Sequence, residues 1–567
     1  MERHLLLTLH GTCFEIDSGN RLCIALPSAG QPAIAAAFKT WIMARFYMTV
    51  GALILRQARA GGVPVMLGLL LSIACAGADW PQFRGAGHDG ISPDRITTAW
   101  NGSVTNPVWR MPVPNALCSL AVSGGRVFTQ TRRTTNNAAK EVCVALSATN
   151  GTQLWAVIVD DALYPQGGVG LDDGPRTTPA VADGSVFVLS SYLKLYRLNA
   201  TNGAILWQRN LPSLYGSTII SYQNCASPVI EGDLLYLNAN TGTSTLMVLH
   251  TADGSLAWRS QDEALTHSTP VLATIHGVRQ IIFVTQSNLV SLNPQSGALL
   301  WRSAYPFRFL GTLGVSPVVY EDMVFVSGAH AYGMGSVALQ AALTNDIWTT
   351  TRLWWTNNPA SHWMTPVCHQ GFLYGMFGIQ TFDSVRAQLK CIDLRTGEVK
   401  WSVNDFGRGA VVLVNNHVVS LTEKGELVLV KPDPNAYTEV GRFLAIPNYN
   451  GDTNKCWNGP AVCDGRIYLR STYNVACFDF SIPALKLDLP QRVAPDRLQL
   501  TVRTINGSLL ASNRIAGMEV RSSTNLAHAL NGWPKLTNNL ALSNGVAVTE
   551  FEDVPAPERY FILSEPQ

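Results

Sequence analysis

Seven side chains that could bind or react fall at one recurrent place in the sequence. Arg176, Asn224, His267, His362, Trp363, Arg408 and Trp457 each stand just ahead of a short apolar stretch, as in "GPRTTPAV" and "HWMTPVC". Guanidinium and imidazole groups hold anions, and indole faces hold flat or cationic groups. Brought together at the mouth of one cleft, these residues would bind an anionic or planar ligand. Kept apart, they would only cap strands and pair locally.

Other reactive patterns are weaker. "DDALYPQGGVGLDDG", from Asp160, offers acids and glycines but not the alternating Asp spacing of a calcium loop, so it reads as a solvated loop. The chain has no G-x-S-x-G, no H-E-x-x-H and no phosphate-binding P-loop. Its 11 cysteines form no C-x-x-C, no vicinal pair and no C-x-x-C-H. Cys143, Cys391 and Cys477 are expected at one equivalent strand position, where other repeats carry Leu195, Leu246 and Leu289. That placement argues for buried packing rather than redox chemistry.

The elements that would position these residues repeat along the chain. "TNGTQLW" ends at Trp155 and "TNGAILW" at Trp207, followed by "ADGSLAW" at Trp258, "QSGALLW" at Trp301 and "RTGEVKW" at Trp401. Each phrase closes a segment of three short apolar strands separated by turns, and the phrase itself turns into a fourth. Four meandering strands in about fifty residues are one propeller blade. Trp355 fills the place in a repeat with a degenerate turn phrase, and Phe443 stands in for Trp in the next to last. The last repeat, ending in "VACFDF", lacks its fourth strand. An orphan strand with Trp109 precedes the first repeat and is expected to complete the last one, closing the circle and removing exposed edges. Trp109, Trp155, Trp207, Trp258, Trp301, Trp355 and Trp401 are thus read as structural docking residues of an all-β, eight-bladed propeller. An indole of this kind buries about 200 Å² against its neighbour.

The phrases "CIDLRTGEVKW" and "YRLNATNGAILW" resemble the tryptophan-docking repeat of the PQQ-like β-propellers. That family includes quinoprotein dehydrogenases, exported binding proteins and the outer-membrane-assembly propeller lipoprotein. "DWPQFRGAGHDGISPDRIT", from Asp79, is similar to the segment that opens the mature chain in the family, and the resemblance covers about residues 79–484. It implies the fold but no single activity. Dehydrogenase members hold pyrroloquinoline quinone (PQQ) and Ca²⁺, many with a vicinal disulfide or a haem segment. This chain shows neither, and no calcium ligand or catalytic base can be carried over. The expectation is therefore a non-catalytic exported propeller that binds a protein or polysaccharide partner, with no cofactor or metal. The alternative is a PQQ-dependent oxidoreductase acting on an alcohol or sugar.

The flanks complete the reading. Arg56 and Arg59 precede an apolar run from Val63 to Ala78, too short for a comfortable membrane span but suited to a signal peptide cleaved after Ala76-Gly77-Ala78. Cys75 offers a lipoprotein alternative with a poor lipobox. Residues 1–47 read as an extension ahead of the true start, and 48–78 as the leader. Residues 485–567 alternate as a small C-terminal β-sandwich-like module for surface attachment or spacing. Residues 1–78 carry six of the 41 bases and three of the 39 acids, so the remainder is near neutral and no nucleic-acid-binding face is expected. A charged content of 14% beside 47% hydrophobic residues suits a β-rich protein of the periplasm or cell surface.

Overall fold

The repeat around Trp258 shows how local sequence makes one sheet. Val229–Glu231, Leu234–Asn238, Leu246–His250 and Leu256–Ser260 pair in sequence order, all antiparallel. Gly232 and Gly254 take φ of 59° and 69° at two of the turns, a region open to glycine at no Cβ cost. The second strand is buried on both faces, because each sheet lies between two others. The outermost strand is half exposed.

In the computed structural model, the described residues are 79–567 apart from short stretches, of which 165–173, 306–312, 329–334 and 379–386 are the longest in the propeller; of residues 1–78 only isolated backbone strands are described. Cys75 and the Ala76–Ala78 cleavage site of the leader lie outside the described residues. The chain divides into two compact units, Gly77–Ser481 and a second containing Ile482–Gln567.

Within Gly77–Ser481, the described residues form eight successive sheets of this design, whose first strands begin at Ala121, Ala180, Val229, Val271, Val318, Val367, Ala410 and Ala461. The eighth supplies only three strands of its own. Its fourth is Trp109–Pro112, antiparallel to Asn474–Asp479 with Trp109 opposite Cys477. The two ends of this unit's run of strands thus share one sheet.

Two bonding systems join neighbours. The first is indole docking. Trp109, Trp155, Trp207, Trp258 and Trp401 each donate their Nε1–H to a carbonyl in the next sheet's turn, those of Ala148, Ala200, Thr251, Pro294 and Asp433, at 2.8–3.1 Å. The glycine of that turn is required for contact: a Cβ on Gly151 would sit 2.6 Å from Trp109, and one on Gly297 2.5 Å from Trp258. Three positions differ from expectation. In the fifth sheet the docked ring is Trp354, bonded to Leu394 O at 2.8 Å, while Trp355 is 48% exposed. The strand carries a register shift beside Ala338, which pairs with Trp354, and that sets which of two neighbours turns inward. In the seventh sheet the docking position is Gly441, not Phe443. Trp100 from the N-terminal segment packs against Gly441 and stacks on Phe480 at 4.8 Å. Trp301 is buried but donates to Gln280 of its own sheet.

The second system is a belt of hydroxyls just before the first strands. The N–H of Ser119 donates to Thr178, that of Thr178 to Ser227, of Ser227 to Thr269, and of Ser316 to Thr365, all at 2.9–3.0 Å. Gly459 N–H donates to Ser119 Oγ at 3.0 Å and closes the ring between the eighth and first sheets. Fully buried Arg470 adds bonds there to the Thr129 hydroxyl and to Gln130 O at 2.9 Å. The Ser-Pro and Thr-Pro pairs of the repeats are therefore joints as well as strand openers.

Residues 79–100 satisfy what the ring leaves open. First strands of a propeller present unpaired backbone groups to the channel. Trp80 pairs with Val122, Pro81 O accepts from Val181, and the Gln82 amide bonds both backbone groups of Ile230. Arg84 donates to Thr365 O and Pro366 O, and Ile91–Ser92 pairs in parallel with Leu413 and Val414. Asp94 accepts from Gly465 N–H. The segment crosses the channel and touches six of the eight sheets.

The second unit pairs Leu485–Leu487 and Gln491–Ala494 with Arg497–Thr504, followed by Val546–Glu552 and Ala541–Ser543. Glu519–Ser523 pairs with Glu558–Ser564 in another sheet. Leu498, Leu500, Val502, Phe551 and Phe561 fill its core.

Candidate functional site

The loop residues two places before the belt include Arg176, His267, Gly314, Trp363 and Trp457. Arg176, Asn224, His267, His362, Trp363, Arg408 and Trp457 were expected to converge at this level, and the structure separates these seven into two groups.

His362, Trp363, Arg408 and Trp457 come together. The Trp363 and Trp457 rings lie 4.7 Å apart and tilted by 43°, and His362 packs on Trp363 at 4.3 Å. The Arg408 guanidinium lies over both indoles, at 5.7 and 5.6 Å. The Lys455 ammonium lies 4.4 Å from the Trp457 ring. Glu423 ties the group together: its Oε1 accepts from Trp457 Nε1–H at 2.9 Å and its Oε2 from Arg408 N–H at 3.2 Å. Gly407, at φ 66°, makes room for that carboxylate, since a Cβ there would stand 2.5 Å from Oε2. Glu423 and Lys455 were not singled out in the sequence. Lys455 stands two residues before Trp457, whereas Glu423 sits in a loop of the seventh repeat and only ring geometry brings it to Trp457.

Arg176 and His267 serve another loop. Arg176 donates to Tyr222 O at 3.3 Å, and His267 Nε2–H to Ser221 O at 3.0 Å. Burial, and then the Arg176 charge, pulls His267 down to about 3, so the ring is neutral. Asn224 closes a turn on Ala226. These three hold residues 221–226 in place.

The two described acids of the stretch that begins at Asp160, Asp160 and Asp161, are engaged by protein groups. Asp160 accepts from Lys194 and Ser190, each at 2.6 Å, and Asp161 pairs with Lys140. Residues 165–173 of that stretch are outside the described ones. Beneath it, Glu141 accepts from Tyr164 Oη–H and Ser191 N–H, and burial raises its carboxyl to about 7. Among the described residues, no three His, Cys, Asp or Glu side chains gather as a cation would require. Cys118, Cys143, Cys368, Cys391, Cys456, Cys463 and Cys477 are buried free thiols. Cys391 and Cys477 lie opposite Trp401 and Trp109, whereas Cys143 lies two residues before the matching place, Ala145 opposite Trp155. The three do not share one position, though all are buried.

Residues 138–403 match the family described as outer membrane protein assembly factor BamB. The repeats are those of the PQQ-like propeller family. Two curated proteins named outer membrane protein assembly factor BamB align with this PQQ-like propeller. That of Moranella endobia is 25% identical over 295 residues, covering 48% of this chain and 70% of that protein. That of Yersinia pestis is 24% identical over 293 residues, covering 49% and 70%. The crystal structure of BamB from Moraxella catarrhalis superposes with a TM-score of 0.44 at 14% identity, covering 66% of this chain and 97% of that one. Among the described residues no helix is long and apolar enough to cross a membrane.

Proposed function

We propose that this PQQ-like propeller is an exported, non-catalytic binding protein for a protein partner. The observation that carries the reading is the funnel cluster itself. Trp363, Trp457, Arg408 and Lys455 are recognition groups, enriched at protein interfaces or able to steer charged partners. The carboxylate among them, Glu423, is held by two N–H donors. The name of the curated relatives, assembly factors of the outer membrane, supports a protein partner over a polysaccharide. The leader sequence supports export to the periplasm or cell surface, and the C-terminal module then serves attachment or spacing. The test is affinity capture of the tagged full chain from its host, with and without Arg408→Ala. Partner recovery is expected to fall in the variant at unchanged thermal stability. Dye-linked oxidation of alcohols or aldoses that depends on added PQQ and Ca²⁺ would overturn the reading.

A further inference from the structure

The funnel cluster holds more donors than acceptors. The Arg408 side chain makes no hydrogen bond or ion pair among the described residues; its only contacts of note are the two indole faces. A guanidinium carries five N–H donors in a rigid fork. Half-buried over two rings, it is held in one orientation with that fork undirected to any protein acceptor. Trp363 Nε1 is also a buried donor without an acceptor, and Asn458, next in the chain to Trp457 and 2% exposed, has both amide atoms unbonded. Buried polar groups of this kind call for a partner, which a bound water or a ligand supplies.

The same contacts favour an anion over an aromatic ligand. Arg408 already covers both indoles, and Lys455 lies over Trp457 as well. What remains open is donor capacity, which an acceptor-rich anion satisfies. Charge sets its valence. The Glu423 carboxylate lies in the same cluster, held by Trp457 and by the Arg408 backbone, so a dianionic phosphate would crowd it with excess negative charge and a monoanion is favoured. The planar fork matches a carboxylate in a bidentate pair.

We infer that Arg408, braced by Trp363 and Trp457, is a receptor for a single peptide carboxylate. This rests on the protein-partner reading above and names the group that the site grips. The carboxylate comes from an acidic side chain or from a chain terminus.

The experiment titrates the purified full chain with three peptides of one length, followed by calorimetry and tryptophan fluorescence. One is amidated and carries a single glutamate, the second is amidated with glutamine in its place, and the third has only its C-terminal carboxylate. One carboxylate peptide is expected to bind at least about tenfold more tightly than the glutamine peptide, and which one does so identifies the source. Arg408→Ala should abolish that preference, and Arg408→Lys, which keeps the charge but not the fork, should retain only part of it. Equal affinity for all three peptides, or a preference that survives Arg408→Ala, overturns the inference. If partner capture still depends on Arg408 while carboxylate preference is absent, the inference fails and the binding function stands.

Discussion

Two adjacent tryptophans carry different loads. Trp354 is docked against the turn of the next sheet, where a Cβ on Gly397 would come within 2.7 Å of its ring. Trp355 is 48% exposed. Trp354→Ala should therefore lower stability by about 3–5 kcal/mol in denaturant titration, and Trp355→Ala by less than about 1 kcal/mol. The reverse order would show that the register shift is misplaced. Protonation gives a second residue-level expectation. Burial, aided by Arg279, pulls His88 from 6.5 to about 4, and burial with Arg176 pulls His267 to about 3. The unfolded chain takes up protons there first, so their contribution is complete above pH 6.5 and is lost as pH falls towards 4. Glu141 acts oppositely. Burial raises it from 4.5 to about 7, so its contribution is complete below 4.5 and is lost as pH rises through 7. Between these limits, Glu141→Gln should steepen the rise of stability with pH by up to about 1.4 kcal/mol per pH unit, and His88→Gln should flatten it. Denaturation midpoints measured from pH 4.5 to 7 check both signs.

At the scale of the elements, the closing joint between the eighth and first sheets depends on few groups. Ser119→Ala leaves Gly459 N–H without its acceptor and should cost about 1–2 kcal/mol, read as a shift in the denaturation midpoint. An unchanged midpoint would mean the belt does not contribute. The sheets themselves were legible in the sequence, because turn glycines and tryptophans recur with the repeat and the Trp109 strand lacks neighbours of its own. What was not legible depends on register and distance. No local pattern distinguishes Trp354 from Trp355, since a single shifted residue decides between them. No spacing rule brings Trp100 to Gly441, because that slot is filled from more than three hundred residues away. The funnel was half legible: residue type and position before each strand located Trp363, Arg408 and Trp457. The same rule also selected Arg176 and His267, whose side chains turn to a neighbouring loop.

For the molecule as a whole, residues 79–96 cross the channel and bond the first strands. Arg84→Ala should raise hydrogen exchange at Val181, Leu413 and Gly465, whose N–H groups are held by this segment. Unchanged exchange there would show that the segment is dispensable to the ring. The central claim is that the funnel face binds a protein. Its most direct measurement is photocrosslinking in the host, with a photoreactive residue placed at Tyr222, exposed on a funnel loop, or at Asn150, exposed in a tryptophan-docking turn. The account predicts a discrete protein adduct from position 222 that disappears with Arg408→Ala, and none from position 150. An adduct from position 150 alone, or one from position 222 that is indifferent to Arg408, would contradict it.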